Sequence, residues 1–80
     1  MKRLPPTNTL CECRWVDITG SINSPLSECR PVKCTTIGKL AIKNEDYIVL
    51  VTSRYEGDDD CVDATAIPLG VVESCKRLSQ

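Results

Sequence analysis

The sequence predicts an all-β domain, a small barrel of five short strands. Three observations carry that prediction. Residues 36–55, TIGKLAIKNEDYIVLVTSRY, place two β-prone runs around the polar quartet Lys43-Asn44-Glu45-Asp46. Each run alternates with period two. Gly38, Leu40 and Ile42 oppose Ile37, Lys39, Ala41 and Lys43; Ile48, Leu50 and Thr52 oppose Tyr47, Val49, Val51 and Ser53. That pattern with a short polar break marks an antiparallel hairpin. Further short β-prone runs lie on both sides of it, set apart by stretches rich in Gly, Pro, Ser, Asn and Asp. Finally, 80 residues suffice for one domain near the lower limit at which a core stands without staples.

Taken in order, residues 1–9 (MKRLPPTNT) carry a Pro-Pro pair and no periodicity, and are expected to form a flexible arm ahead of a single domain over 10–80. Residues 10–18 (LCECRWVDI) form the first strand. Cys11, Cys13 and Trp15 are assigned its inward face, because Glu12 and Arg14 are costly to bury. Residues 19–31 form a long connection with room for one helical turn at Pro25-Leu26-Ser27-Glu28, N-capped by Ser24. The hairpin follows from Val32, with Asn44 and Asp46 suited to its turn. Glu56-Gly57-Asp58-Asp59-Asp60 is expected to be an acidic tip outside any strand. Residues 61–67 (CVDATAI) form the next strand, and Pro68-Leu69-Gly70 a tight turn or 3₁₀ turn. Residues 71–78 (VVESCKRL) close the sheet. Paired Val residues favour a strand there, although Val71, Cys75 and Leu78 also fit helical spacing. Five strands, a long first loop and a tight last turn describe an SH3-like or Sm-like barrel. The alternative is an open antiparallel sheet with a short C-terminal helix. The expected core is Leu40, Ile42, Ile48, Leu50 and Ile67, with Trp15 alongside.

Charge and composition narrow the function. A net charge of −1 argues against a general nucleic-acid or anionic-membrane binder, which carries a basic excess. No apolar run reaches the length of a membrane span, and residues 1–8 lack a signal-peptide core. Six cysteines admit three readings. A disulfide framework requires an oxidising compartment. A zinc site would use Cys11, Cys13, Cys29 and Cys34, but the C-x-C pair is tighter than structural zinc prefers. The favoured reading is reduced, metal-free thiols acting as small buried hydrophobes.

Catalysis is poorly provided for, and no cofactor is expected. The chain has no His, the commonest general base at neutral pH. It also has no glycine-rich phosphate loop, and no base to activate a Cys. Asp58, Asp59, Asp60 and Asp63 lack the alternating spacing of a calcium loop. Binding is better provided for. Arg54, Tyr55, Lys39, Arg14 and Trp15 combine cations with flat π faces, the means by which a pocket holds a nucleobase and its phosphates. The bland alternatives are a core anchor for Trp15 and a solvated strand face for Arg54 and Lys39.

With the motifs placed, the chain resembles a group of short bacteriophage accessory proteins of the counter-defence type. The resemblance rests on Trp15-Val16-Asp17, Thr36-Ile37-Gly38-Lys39-Leu40, Ile48-Val49-Leu50-Val51 and Ile67-Pro68-Leu69-Gly70-Val71, in that order. Cys11, Cys13, Cys29, Cys61 and Cys75 depart from it. The resemblance implies a non-enzymatic protein of the host cytoplasm that sequesters a cyclic-nucleotide or related immune signal. A symmetric homo-oligomer is expected, since repeating Arg54, Tyr55 and Lys39 across a two-fold builds a larger pocket. The alternatives are an inhibitor that binds a host defence protein directly and an Sm-like RNA-binding module, the latter disfavoured by the charge balance.

Overall fold

A computed structural model describes residues 3–18 and 25–78. It contains β1 (Leu10–Asp17), a 3₁₀ turn (Leu26–Glu28), β2 (Val32–Lys43), β3 (Tyr47–Tyr55), β4 (Asp58–Pro68), a second 3₁₀ turn (Leu69–Val71) and β5 (Val72–Arg77). All five strands are antiparallel and lie in one sheet of order β4-β3-β2-β1-β5. Among the described residues β4 is not paired with β5, so the sheet is open rather than a closed barrel. The alternative's C-terminal helix is absent as well: residues 72–77 pair with β1 as a strand. Adjacent β-branched valines at Val71 and Val72 favour that outcome.

The central hairpin turns where the sequence places it. The Asn44 side-chain carbonyl accepts from the backbone N–H of Asp46 and of Tyr47, each at 2.9 Å. Asn44 N–H donates to the Tyr47 carbonyl at 3.1 Å. This is the local bonding that makes Asn a turn residue. The Leu69 N–H donates to the Asp46 carbonyl at 2.9 Å, tying the second 3₁₀ turn to the same corner. Both 3₁₀ turns fall where Pro25 and Pro68 predict them; Ser24, the expected cap of the first, lies outside the described residues.

The inward face carries Cys11, Cys13, Leu40, Ile48, Leu50, Ile67, Val72 and Cys75, all buried, with Leu4, Trp15, Leu69 and Val71 packed against them. The expected core holds except at Ile42, which is 47% exposed. The cause is a β-bulge. Leu40 pairs with Leu50, but the next pair is Ile42 with Val49, so Ala41 is an extra residue. One inserted residue reverses the alternation. Ile42 turns to the outer face with Val49, and Lys43 turns to the core side opposite Ile48.

The acidic stretch also departs from expectation, because β4 begins at Asp58 and pairs there with Tyr55. Gly57, at φ 84°, allows the chain to reverse over Glu56 and Gly57 alone. Strand pairing therefore resumes immediately. Residues 3–9, which have no strand signal, run along β2. Asn8 N–H donates to the Leu40 carbonyl at 2.7 Å, and Leu40 N–H to the Thr9 carbonyl at 2.9 Å. Asn8 adopts φ 68° to make this approach, a conformation Asn tolerates better than most residues.

Gly38 is buried beside Leu40. A Cβ built there would sit 2.7 Å from the Val51 carbonyl oxygen. Beyond this close approach β2 and β3 are no longer paired, since Lys39–Val51 is their last match. The rest of β3 continues with β4 as a two-stranded ribbon. Gly38→Ala should therefore cost about 1–3 kcal/mol, the usual penalty for overpacking. Leu50→Ala should cost about 2–5 kcal/mol through the cavity it leaves. Urea denaturation of both variants checks these values; a parent-like midpoint for either would remove the packing assigned to that residue.

Candidate functional site

The five residues chosen from sequence do not meet in one place within a chain. Trp15 faces the core, and its indole N–H donates to the Thr36 hydroxyl at 3.0 Å. A buried Trp usually finds such a partner, so its anchor role is filled. Arg14 is on the opposite face of β1, exposed and 3.3 Å from Glu12. An exposed pair of this kind adds little stability. Arg14 also borders a shallow groove with Lys33, Cys34, Thr35, Glu73 and Ser74. Lys39 shares the outer face, opposite Leu10, four pairs from Arg14's partner Thr35. At about 3.3 Å per residue that separates them by roughly 13 Å. Arg54 and Tyr55 lie on the projecting ribbon, where every residue of β3 from Thr52 to Tyr55 is exposed. The Tyr55 hydroxyl donates to an Asp63 carboxylate oxygen at 3.0 Å, so it braces the ribbon.

A different set of cations does converge. Arg3, Lys43, Lys76 and Arg77 line one groove, together with Leu4, Pro5, Pro6 and Cys75. None of these lining residues is acidic. Each cation arrives by a separate structural cause. The hydrogen bonds of Asn8 and Thr9 with Leu40 lay the arm along β2 and bring Arg3 in. The bulge at Ala41 swings Lys43 to this side, where its ammonium donates to the Pro5 carbonyl at 2.9 Å. Pairing of β5 with β1 delivers Arg77, opposite Cys11 on the inward face, next to the arm that precedes β1, while Lys76, opposite Glu12 on the outer face, borders the groove from its rim. With no carboxylate in the lining, Arg3, Lys43 and Arg77 leave a positive potential that favours an anion. The sequence signal is the pair of basic dipeptides Lys2-Arg3 and Lys76-Arg77 near the two ends. Only the β1–β5 pairing makes Arg3 and Arg77 neighbours.

Beneath the groove lies the thiol cluster. Cys13 and Cys75 are direct cross-strand partners, and Cys11 is the next inward residue on β1. The Cys11 thiol is 3.4 Å from both the hydroxyl and the carbonyl oxygen of Thr9. Burial, reinforced by the neighbouring Cys13 and Cys11, pushes the Cys75 thiol up from 9.0 to about 12. A thiol held so firmly protonated is a poor nucleophile. The four cysteines weighed for zinc are not gathered. Cys11 and Cys13 are buried, Cys34 lies opposite Trp15 with its thiol 3.6 Å from the Val32 carbonyl, and Cys29 is exposed after the first 3₁₀ turn. Among the described residues no group of three or more His, Cys, Asp or Glu is arranged to hold a metal ion. No helix among them is long and apolar enough to cross a membrane.

No protein-family model, curated protein or solved structure matches this chain.

The Cys75 shift fixes a pH dependence. The unfolded chain releases this proton near 9.0, whereas the folded chain holds it to about 12. The unfolded state therefore binds fewer protons across that interval, and stability falls as pH rises through it. Below 9.0 the contribution is intact. Urea midpoints at about pH 8 and about pH 10.5 should fall further apart in the parent than in Cys75→Ser. Equal losses in the two proteins would assign the alkaline sensitivity to other groups.

Proposed function

We propose that this protein binds a small phosphate-bearing ligand of the nucleotide type, without chemistry, in the groove lined by Arg3, Lys43, Lys76 and Arg77. The carrying observation is one groove bordered by Arg3, Lys43, Lys76 and Arg77 and by no carboxylate, in a chain whose net charge is −1. Ammonium and guanidinium groups at hydrogen-bond range are the strong partners of phosphate oxygens. Leu4, Pro5 and Pro6 give the groove an apolar wall against which a base or ribose could rest. Joined to the motif resemblance, this supports sequestration of a nucleotide-type immune signal as the biological role. It moves the contacts from Arg54, Tyr55 and Lys39 to a site those residues do not line.

Two further parts of the proposal concern architecture. The strand order β4-β3-β2-β1-β5, with a 3₁₀ turn before the last strand, supports placing the fold among SH3-like or Sm-like barrels. Its outer strands each pair with one neighbour only, which leaves edges on which a homo-oligomer could form. A second reading, direct inhibition of a host protein, draws on the apolar outer face. Ile37 and Ile42 are exposed there, and Val49 and Val51 half-buried.

Calorimetric titration with inorganic pyrophosphate and a panel of linear and cyclic nucleotides tests the groove. The double variant Lys76→Ala, Arg77→Ala should weaken binding about tenfold or more, since a hydrogen bond to a charged group contributes about 1.5–3 kcal/mol. Arg54→Ala should bind like the parent. Both proteins should melt close to the parent, because Lys76, Arg77 and Arg54 are exposed. Parental affinity in the double variant with loss in Arg54→Ala would return the site to the ribbon. Absence of binding by every phosphate compound would leave the protein-inhibitor reading in the lead.

A further inference from the structure

We infer that Cys13 and Cys75 form a redox site: a cross-strand pair preset to close into a disulfide that clamps β5 onto β1. Register sets their separation. Leu78 N–H donates to the Leu10 carbonyl at 2.9 Å, which makes 10 and 78 a hydrogen-bonded pair. In an antiparallel ladder hydrogen-bonded and non-hydrogen-bonded pairs alternate. Counting inward through Cys11–Arg77 and Glu12–Lys76 makes Cys13–Cys75 a non-hydrogen-bonded pair. The bulge that shifts this register falls later, between Arg14 and Trp15, so the count is unbroken.

Non-hydrogen-bonded partners are the close ones, with Cα atoms about 4.5 Å apart and side chains turned toward each other. That lies inside the range a disulfide spans, about 4.4–6.8 Å between Cα atoms. Both side chains are on the inward face and buried, so the bond would need no reversal of either strand. Cys11 also lies within hydrogen-bond reach of Cys75, but strand spacing favours Cys13 over the competing pairs. Cys11 is a diagonal neighbour of Cys75, at about 7–8 Å between Cα atoms. Cys11 and Cys13 project in parallel from one strand, about 6.7 Å apart, whereas bridged Cβ atoms lie about 3.5–4.5 Å apart.

The chemistry balances with a small disulfide as oxidant. Of the two, Cys75, which borders the cationic groove and is 9% exposed where Cys13 is fully buried, is the thiol such a reagent reaches first. Its thiolate attacks one sulfur of oxidised glutathione; that S–S bond breaks and one glutathione leaves as thiolate. Cys13 then loses its proton and attacks the Cys75 sulfur of the mixed disulfide, expelling the second glutathione. Two protein thiols are oxidised, one external disulfide is reduced, and the released protons end on the two glutathione thiolates. Burial makes the first attack slow, and opening of β5, a six-residue edge strand held by β1 alone, exposes the sulfur.

Incubating the native chain with oxidised glutathione, followed by intact mass and peptide mapping, tests the site. The expected product carries a Cys13–Cys75 link in the peptide map, two hydrogens lighter than the reduced peptides, beside any glutathione adduct on exposed Cys29, and reverts with dithiothreitol. Cys11→Ser should still form it; Cys13→Ser should stop at a Cys75 glutathione adduct. Should Cys13→Ser fail to fold, mapping of the parent and of Cys11→Ser decides alone. The oxidised parent should unfold at higher denaturant than the reduced one, because the bond closes a loop of most of the chain. A link from Cys75 to Cys11 or Cys61, no intramolecular link, or a lower midpoint after oxidation would overturn the assignment.

Discussion

The fold turns on the approach of β3 to Gly38. A backbone carbonyl occupies the space a side chain would take there, and three features adjoin it. Pairing of β2 with β3 ends one residue away, at Lys39–Val51. The N-terminal segment bonds Leu40, the inward residue next along β2. The bulge at Ala41 follows directly. Bulges add local twist, and β2, β3 and β5 each carry an extra residue at a register shift. With residues 59–61 of β4 also unmatched between Asp58 and Val62, four of the five strands depart from regular register. Without Phe in the sequence, the core is made of aliphatic residues and thiols.

Alternation and turn chemistry made much of this legible in the sequence. The strand positions, the Asn44 turn, both 3₁₀ turns and the inward set Leu40, Ile48, Leu50 and Ile67 follow from local rules that the structure obeys. Ile42 was not legible, since a bulge leaves no mark in a period-two pattern; the alternation looks continuous through Ala41. The start of β4 was hidden for a related reason. Three consecutive Asp residues read as a solvated tip, but one Gly at positive φ sets how soon pairing resumes. The candidate site was least legible of all. Arg3, Lys43, Lys76 and Arg77 come from three remote segments, and only the return of β5 to β1, together with the Ala41 bulge, assembles them.

The thiols show how one residue type takes its role from its surroundings. Cys29 is exposed next to a 3₁₀ turn and has the chemistry of an ordinary surface thiol. Cys11, Cys13 and Cys75 lie in the core, where their desolvated sulfurs pack as hydrophobes do. Thiols in these positions combine tight packing with a latent reactivity that an aliphatic core would lack.

Among the described residues, the ribbon of β3 and β4 beyond Val51 has no third strand. Its known braces are polar: Tyr55 to Asp63, and the Thr52 hydroxyl donating to the Asp63 carbonyl at 3.2 Å. Two-stranded hairpins are marginal alone in water, so this segment opens on its own scale, below the global unfolding free energy. Amide exchange would divide β3 into a slow half ending at Val51 and a fast half beginning at Thr52. The molecule thus behaves as two cooperative units of unequal depth on one continuous strand, and the outer unit can reshape around a partner without disturbing the inner one.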